Sequence, residues 1–123
     1  MKTGLIAIFV TLSILALRAQ PALYEALGKG DVTGISAYFG NKVELTIGEK
    51  EAVISKEEAQ AQLREFFAAN PAKGYRAMHT GASKGNESNY TIGELATDTR
   101  TFRVYIYFTQ EGDRRTIAEL RFE

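Results

Sequence analysis

After Pro71 the chain changes period and keeps the change to its end. Residues 74–84, 88–97, 101–110 and 114–123 each alternate in steps of two, separated by Lys84-Gly85-Asn86-Glu87, Thr97-Asp98-Thr99-Arg100 and Glu111-Gly112-Asp113. Gly, Asn and Asp supply the positive φ that hairpin loops need. Strands joined by such short loops pair antiparallel, so the second half of the chain predicts a four-stranded meander. In the third strand Phe102, Val104, Ile106 and Phe108 alternate with Arg103, Tyr105 and Tyr107. The purely apolar row predicts the core side, where each buried side chain contributes roughly 1.5–3 kcal/mol. The second row is still rich in aromatic area, so the far side of this strand also needs an explanation.

The first half is helical around one strand. Pro21 opens a short helical pattern carrying Leu23, Ala26 and Leu27, and Gly28-Lys29-Gly30 interrupts it. Asp31 can cap a second turn, along which Val32, Ile35 and Phe39 fall at helical spacing before Gly40-Asn41. Residues 42–47 alternate Val43, Leu45 and Ile47 with Lys42, Glu44 and Thr46, which predicts a strand with one wet face. Ser55 and Glu58 then form a capping box, followed by Ala59, Leu63, Phe66 and Phe67 on one helical stripe, and Asn70-Pro71 stops the helix. Helices gathered early and strands gathered late predict an α+β fold, with the helices on one face of a curved antiparallel sheet.

Residues 1–19 are set apart from that domain. Lys2 precedes the apolar run of residues 4–17, and Ala19 offers a small residue before a cut, the pattern of a secretory signal peptide. About 14 apolar residues fall short of the roughly 20 that span a bilayer as a helix, so no stable membrane anchor is expected after cleavage. The expected product is a single domain over residues 20–123, exported to the periplasm or outside the cell. With no cysteine in the chain, it carries no lipid at an N-terminal Cys, no disulfide and no thiolate metal site. Without Lys2 and Arg18, 13 basic residues face 15 acidic ones, a net charge of about −2 that gives phosphate backbones no long-range pull. Nucleic acid is not an expected partner.

The segments GDVTGISAYFGNKVELTI, EAQAQLREFFAANPAKGY, HTGASKG, TFRVYIYF and ELRFE, in that order, resemble a secreted bacterial family known as domain of unknown function 4783. The resemblance runs from about Leu23 to Glu123. It implies the cone-shaped fold of nuclear transport factor two, also called cystatin-like, in which helices lie across the concave side of a strongly bent sheet. It further implies dimerisation through the other side. It implies no reaction, because that superfamily holds isomerases, dehydratases and plain ligand binders alike.

Two residues are candidates for chemistry. His79 is the only histidine; it reads as a half-buried, hydrogen-bonded side chain or, with an orienting partner, as a general base, and alternation puts it on one face with Tyr75, Ala77 and Gly81. Glu94 breaks a strand face containing Tyr90 and Ile92; it reads as a cross-strand ion pair with Arg103 or Arg121, or as a carboxylate made basic by burial inside the cone. A single histidine and no cysteine leave only carboxylates for a metal, so no metal or cofactor is assigned. Arg103, Tyr105 and Tyr107 are residue types enriched where proteins meet, and equally common on solvated strands. The expected protein is a non-enzymatic binding module, a homodimer through this face, taking a small apolar ligand in the cone or docking on an envelope protein. The alternative is a cofactor-independent isomerase or dehydratase using Glu94 or His79.

Overall fold

The computed structural model describes residues 19–82 and 88–123. The expected signal peptide and the loop of residues 83–87 lie outside the described residues. Helix α1 (Ala19–Lys29) and the short α2 (Val32–Ser36) lead into a hairpin of β1 (Phe39–Ile47) and β2 (Lys50–Ser55). Helix α3 (Lys56–Ala69) follows, and then the meander β3 (Ala72–Ala82), β4 (Ser88–Thr97), β5 (Thr101–Glu111) and β6 (Arg114–Phe122).

All six strands form one sheet in the order β2-β1-β6-β5-β4-β3. The meander is antiparallel as expected, but β1 runs parallel to β6, so the sheet is mixed rather than antiparallel throughout. That parallel pairing joins the β1–β2 hairpin to the meander as one sheet. Irregularities in register within the β1–β6, β3–β4 and β5–β6 pairs bend the sheet strongly around the helices.

Two local expectations are corrected. Phe39 and Gly40-Asn41 do not end a helix: α2 stops at Ser36 and Phe39 already begins β1, its side chain buried. Helical spacing and strand burial both place an apolar group at Phe39, so periodicity alone could not separate them. The second departure is β2, which pairs with β1 from Lys42↔Ser55 to Ile47↔Lys50. Its burial pattern is nearly all exposed, so it carries no alternation to read. The available signal was the turn: Gly48 sits at φ 62°, the left-handed conformation a two-residue hairpin loop requires.

Helix α3 starts where the capping box places it, with Ser55 Oγ accepting from the Glu58 amide at 3.2 Å. Its stripe of Ala59, Leu63, Phe66 and Phe67 is buried. Phe66 joins this helix to the sheet: its ring lies 4.6 Å from Phe122, 5.0 Å from Phe102 and 5.1 Å from Phe67, centroid to centroid. Such edge-on and tilted aromatic pairs contribute about 0.5–1.5 kcal/mol beyond the area they bury. Around them Leu23, Leu27, Leu63, Leu95, Val104, Ile106 and Leu120 are essentially solvent-free. Replacing Phe122 with Ala should lower stability by about 3–5 kcal/mol in urea denaturation, and Ser55→Ala by about 1 kcal/mol. A Phe122→Ala loss below about 1 kcal/mol would show that the ring cluster does not hold α3 to the sheet.

Candidate functional site

The alternation of β5 separates two surfaces. Phe102, Val104, Ile106 and Phe108 point into the core, Arg103 and Tyr107 are exposed, and Tyr105 is half-buried. On the outer surface Tyr105 lies between Ile92 of β4 and Arg121 of β6, and Tyr107 lies between Tyr90 and Glu119. The Arg121 guanidinium sits 5.8 Å from the Tyr105 ring and 3.3 Å from the Glu123 carboxylate. Arg103 is registered opposite Glu94, and interaction with the Tyr105 phenol holds its guanidinium above the ordinary arginine range. Long polar side chains are thus laid over the aromatic rings.

This outer surface is polarised. Glu44 of β1 and Glu119 of β6 are direct cross-strand partners, with Glu51 of β2 nearby. A hydrogen bond shared with Glu119, together with burial and like charge, pushes the Glu44 carboxyl up, while Glu51 and Arg121 pull it down. Across the sheet, Arg76 of β3 and Arg103 of β5 flank Glu94. One corner therefore gathers carboxylates and the other sets two guanidiniums around the single carboxylate of Glu94, with Ile92, Tyr105 and Tyr107 between them.

Both candidate catalytic residues sit on this outer side. Glu94 does not enter the cone; its carboxylate pairs with Arg76 at 2.8 Å, not with Arg103 or Arg121. His79 is exposed, its ring 5.9 Å from Tyr90. Simple alternation fails for His79 because the β3–β4 register slips between Ala77↔Gly93 and His79↔Ile92. The extra residue, Met78, rotates His79 away from the face of Tyr75 and Ala77. A bulge of this kind has no signature in the sequence here.

The inner surface holds groups that sequence reasoning missed. Tyr24 of α1 packs its ring 5.5 Å from that of Tyr75 on β3. The Tyr75 hydroxyl reaches across β4 above Gly93, where a Cβ would stand 2.2 Å from it, so only glycine leaves this path open. Two residues along the same face of β4 is Thr91, which is 1 % exposed. The hydroxyls of Tyr24, Tyr75 and Thr91 are all buried with no hydrogen-bond partner. Burial pushes the Tyr75 phenol up to about 12, while the nearby Thr91 hydroxyl acts the other way. The other buried polar residues among those described are Ser36, Thr46, Thr97 and Thr116, so none is charged.

Residues 21–123 match a family described as Domain of unknown function (DUF4783). The chain belongs to DUF4783. A DUF4783 family protein from Bacteroides ovatus is 31 % identical, with 82 % of this chain and 90 % of that chain covered at a TM-score of 0.77. One from Bacteroides uniformis is 26 % identical, covering 85 % and 95 %, at a TM-score of 0.79. An NTF2-like protein of unknown function from Cytophaga hutchinsonii is 10 % identical, covering 83 % and 82 %, at a TM-score of 0.59, a likeness of fold alone. No curated protein matches the chain. DUF4783 here is an α+β, NTF2-like domain of unknown function.

The raised Tyr75 phenol has a consequence for stability. An unfolded phenol ionises near pH 10 and the folded one near 12, so between these values the unfolded chain holds fewer protons. Tyr75 therefore adds stability fully present below pH 10 and lost as pH rises towards 12. Tyr75→Phe should flatten that part of the stability profile and remove the last-ionising phenol from an absorbance titration at 295 nm; an unchanged titration would refute the assignment.

Proposed function

We propose that this DUF4783 domain is an exported, non-enzymatic interaction module that self-associates through the outer face of its sheet. The observation that carries this reading is the outer surface of β4, β5 and β6: an aromatic strip of Tyr105, Tyr107 and Ile92 between the acidic corner at Glu44 and Glu119 and the basic corner at Arg76 and Arg103. A two-fold axis lying between two such sheets, along the diagonal that separates the corners, brings each acidic corner onto the partner's basic one. The pairing is self-complementary, as an isologous dimer demands. Tyr and Arg at its centre match the residue types that dominate interface energetics.

Against the isomerase or dehydratase alternative stands the placement of its residues. Glu94 is held by Arg76 outside the cone and His79 is on the same outer side, so neither can reach a molecule bound between helices and sheet. The apolar interior supports binding rather than proton transfer. Under α3 that interior is occupied by Phe66, Phe67, Phe102 and Phe122.

Light scattering of residues 20–123 at tens of micromolar should give the mass of a dimer. The double variant Tyr105→Ser, Tyr107→Ser should give a monomer with an unchanged far-ultraviolet circular dichroism spectrum. A wild-type monomer at that concentration, or a double variant that remains dimeric, contradicts the proposal. Export belongs to the same reading and rests on the charged start and apolar run within residues 1–19. Expression of the full chain in a Gram-negative host should yield a periplasmic or extracellular product lacking residues 1–19 by intact mass; retention of the full mass in the cytoplasm would refute it.

A further inference from the structure

A cavity of about 290 Å³ opens at the rim of the sheet, where β1 begins beside the β5–β6 hairpin and α3 starts. Its floor is Phe39, which is 1 % exposed and belongs to the core, so the cavity lies outside the cone. Above that floor stand the charged side chains of Lys56, Glu111 and Arg114, with Thr116 beside them. Glu111 and Arg114 are direct cross-strand partners on either side of the turn at Gly112, a register at which opposite charges ordinarily meet. They form no ion pair with each other. Arg114 donates from Nη2 to the Ala37 carbonyl at 2.9 Å, whereas Glu111 lies over Gly40 and accepts from Thr116 Oγ1 at 3.1 Å. Lys56 has no ion-pair partner among the described residues. We propose that this cavity binds a small zwitterion of the amino acid class, its carboxylate held by Lys56 and Arg114 and its ammonium by Glu111. The site does not depend on self-association of the domain.

The charges around the cavity are held in place by their neighbours. Thr116 is buried, and its hydroxyl donates to Glu111 while lying 3.3 Å from the hydroxyl of Thr109, so the carboxylate rests on an ordered polar support. One Glu111 oxygen stands 2.8 Å from where a Cβ at Gly40 would begin, and the missing side chain there lets the carboxylate lie against β1. The strand itself makes the room: the β1–β6 register breaks between Phe39↔Ile117 and Glu44↔Glu119, so β1 parts from β6 along residues 40–43. Arg114 uses one N–H on Ala37, and the rest of its planar fork is left to take a carboxylate. Lys56, the first residue of α3, adds a second cation. A simple anion would bring like charge to Glu111, and a simple cation would bring it to Lys56 and Arg114. Only a molecule carrying both signs answers all three side chains. The volume sits at the small end of the roughly 300–1,000 Å³ of small-molecule sites, which suits a free amino acid.

The isomers 2-aminobutyrate and 4-aminobutyrate carry the same two charges close together or at opposite ends, while butyrate and butylammonium carry one charge each. Titrated into ¹⁵N-labelled residues 20–123 at low ionic strength, at least one aminobutyrate should shift the amides of Gly40, Lys56, Glu111 and Thr116. It should bind about tenfold more tightly than either single-charge analogue, the gain from one further charged hydrogen bond. The preferred isomer reports the spacing of the two charges, and a preference for either one supports the site. Glu111→Gln keeps the contact with Thr116 and should abolish the preference for the zwitterion over butyrate. Lys56→Met should weaken aminobutyrate and butyrate alike. Both variants should retain the wild-type circular dichroism spectrum and the wild-type mass by light scattering. Wild-type binding of butyrate or butylammonium as tight as that of both aminobutyrates, no shift of these amides through the millimolar range, or a Glu111→Gln variant that keeps the zwitterion preference would each overturn the proposal.

Discussion

The structure depends on the two-residue period of β5. This strand has a sheet neighbour on each side, and its even-numbered side chains from Phe102 to Phe108 lie beneath the helices while Arg103, Tyr105 and Tyr107 lie outside. A shift of one residue would put the phenols and a guanidinium in the core and four apolar side chains in water. Register is consequently fixed along both flanking ladders, Val104 opposite Gly93 and Phe122, Ile106 opposite Thr91 and Leu120. The Phe66 ring closes the arrangement by tying α3 to Phe102 and Phe122, the near ends of β5 and β6.

From that division the chemistry of the two faces follows. The outer face combines rings, guanidiniums and carboxylates, groups that can be wet before docking and dry after it. The inner face combines aliphatic and aromatic side chains with hydroxyls, and its only described departures from full satisfaction are the hydroxyls of Tyr24, Tyr75 and Thr91. Thr46 and Arg121, cross-strand partners on the outer side, also bury an unpaired polar atom each. Charges therefore gather on the outer side of the sheet and neutral polar groups on the inner side.

Much of this was legible before any coordinates. The capping box at Ser55, the stripe of Ala59 to Phe67, the hairpin turn at Gly112 and the sidedness of β5 all arise from contacts within a few residues or from strict alternation, which periodicity reads directly. What escaped depends on pairing across the chain. The parallel β1–β6 contact joins segments far apart in sequence; β2 is an exposed edge strand with no buried row; and the bulge at Met78 transferred His79 to the outer face without altering composition. Glu94 was legible as an ion pair but not in its partner, because Arg76 and Arg103 flank it from opposite strands and only side-chain placement selects Arg76. The hydroxyl cluster needed three elements brought together, and its one local mark is Gly93 in an otherwise good strand.

Residue-resolved tyrosine nitration across a dilution series tests the two-sided use of β5 most directly. Tyr107, 39 % exposed in the protomer, should be protected at high protein concentration and become reactive on dilution, while the covered phenol of Tyr75 stays unreactive throughout. Nitration of Tyr107 at the same rate at every concentration would contradict the outer face as a contact surface, and rapid nitration of Tyr75 would contradict the assignment of inside and outside on which the whole account stands.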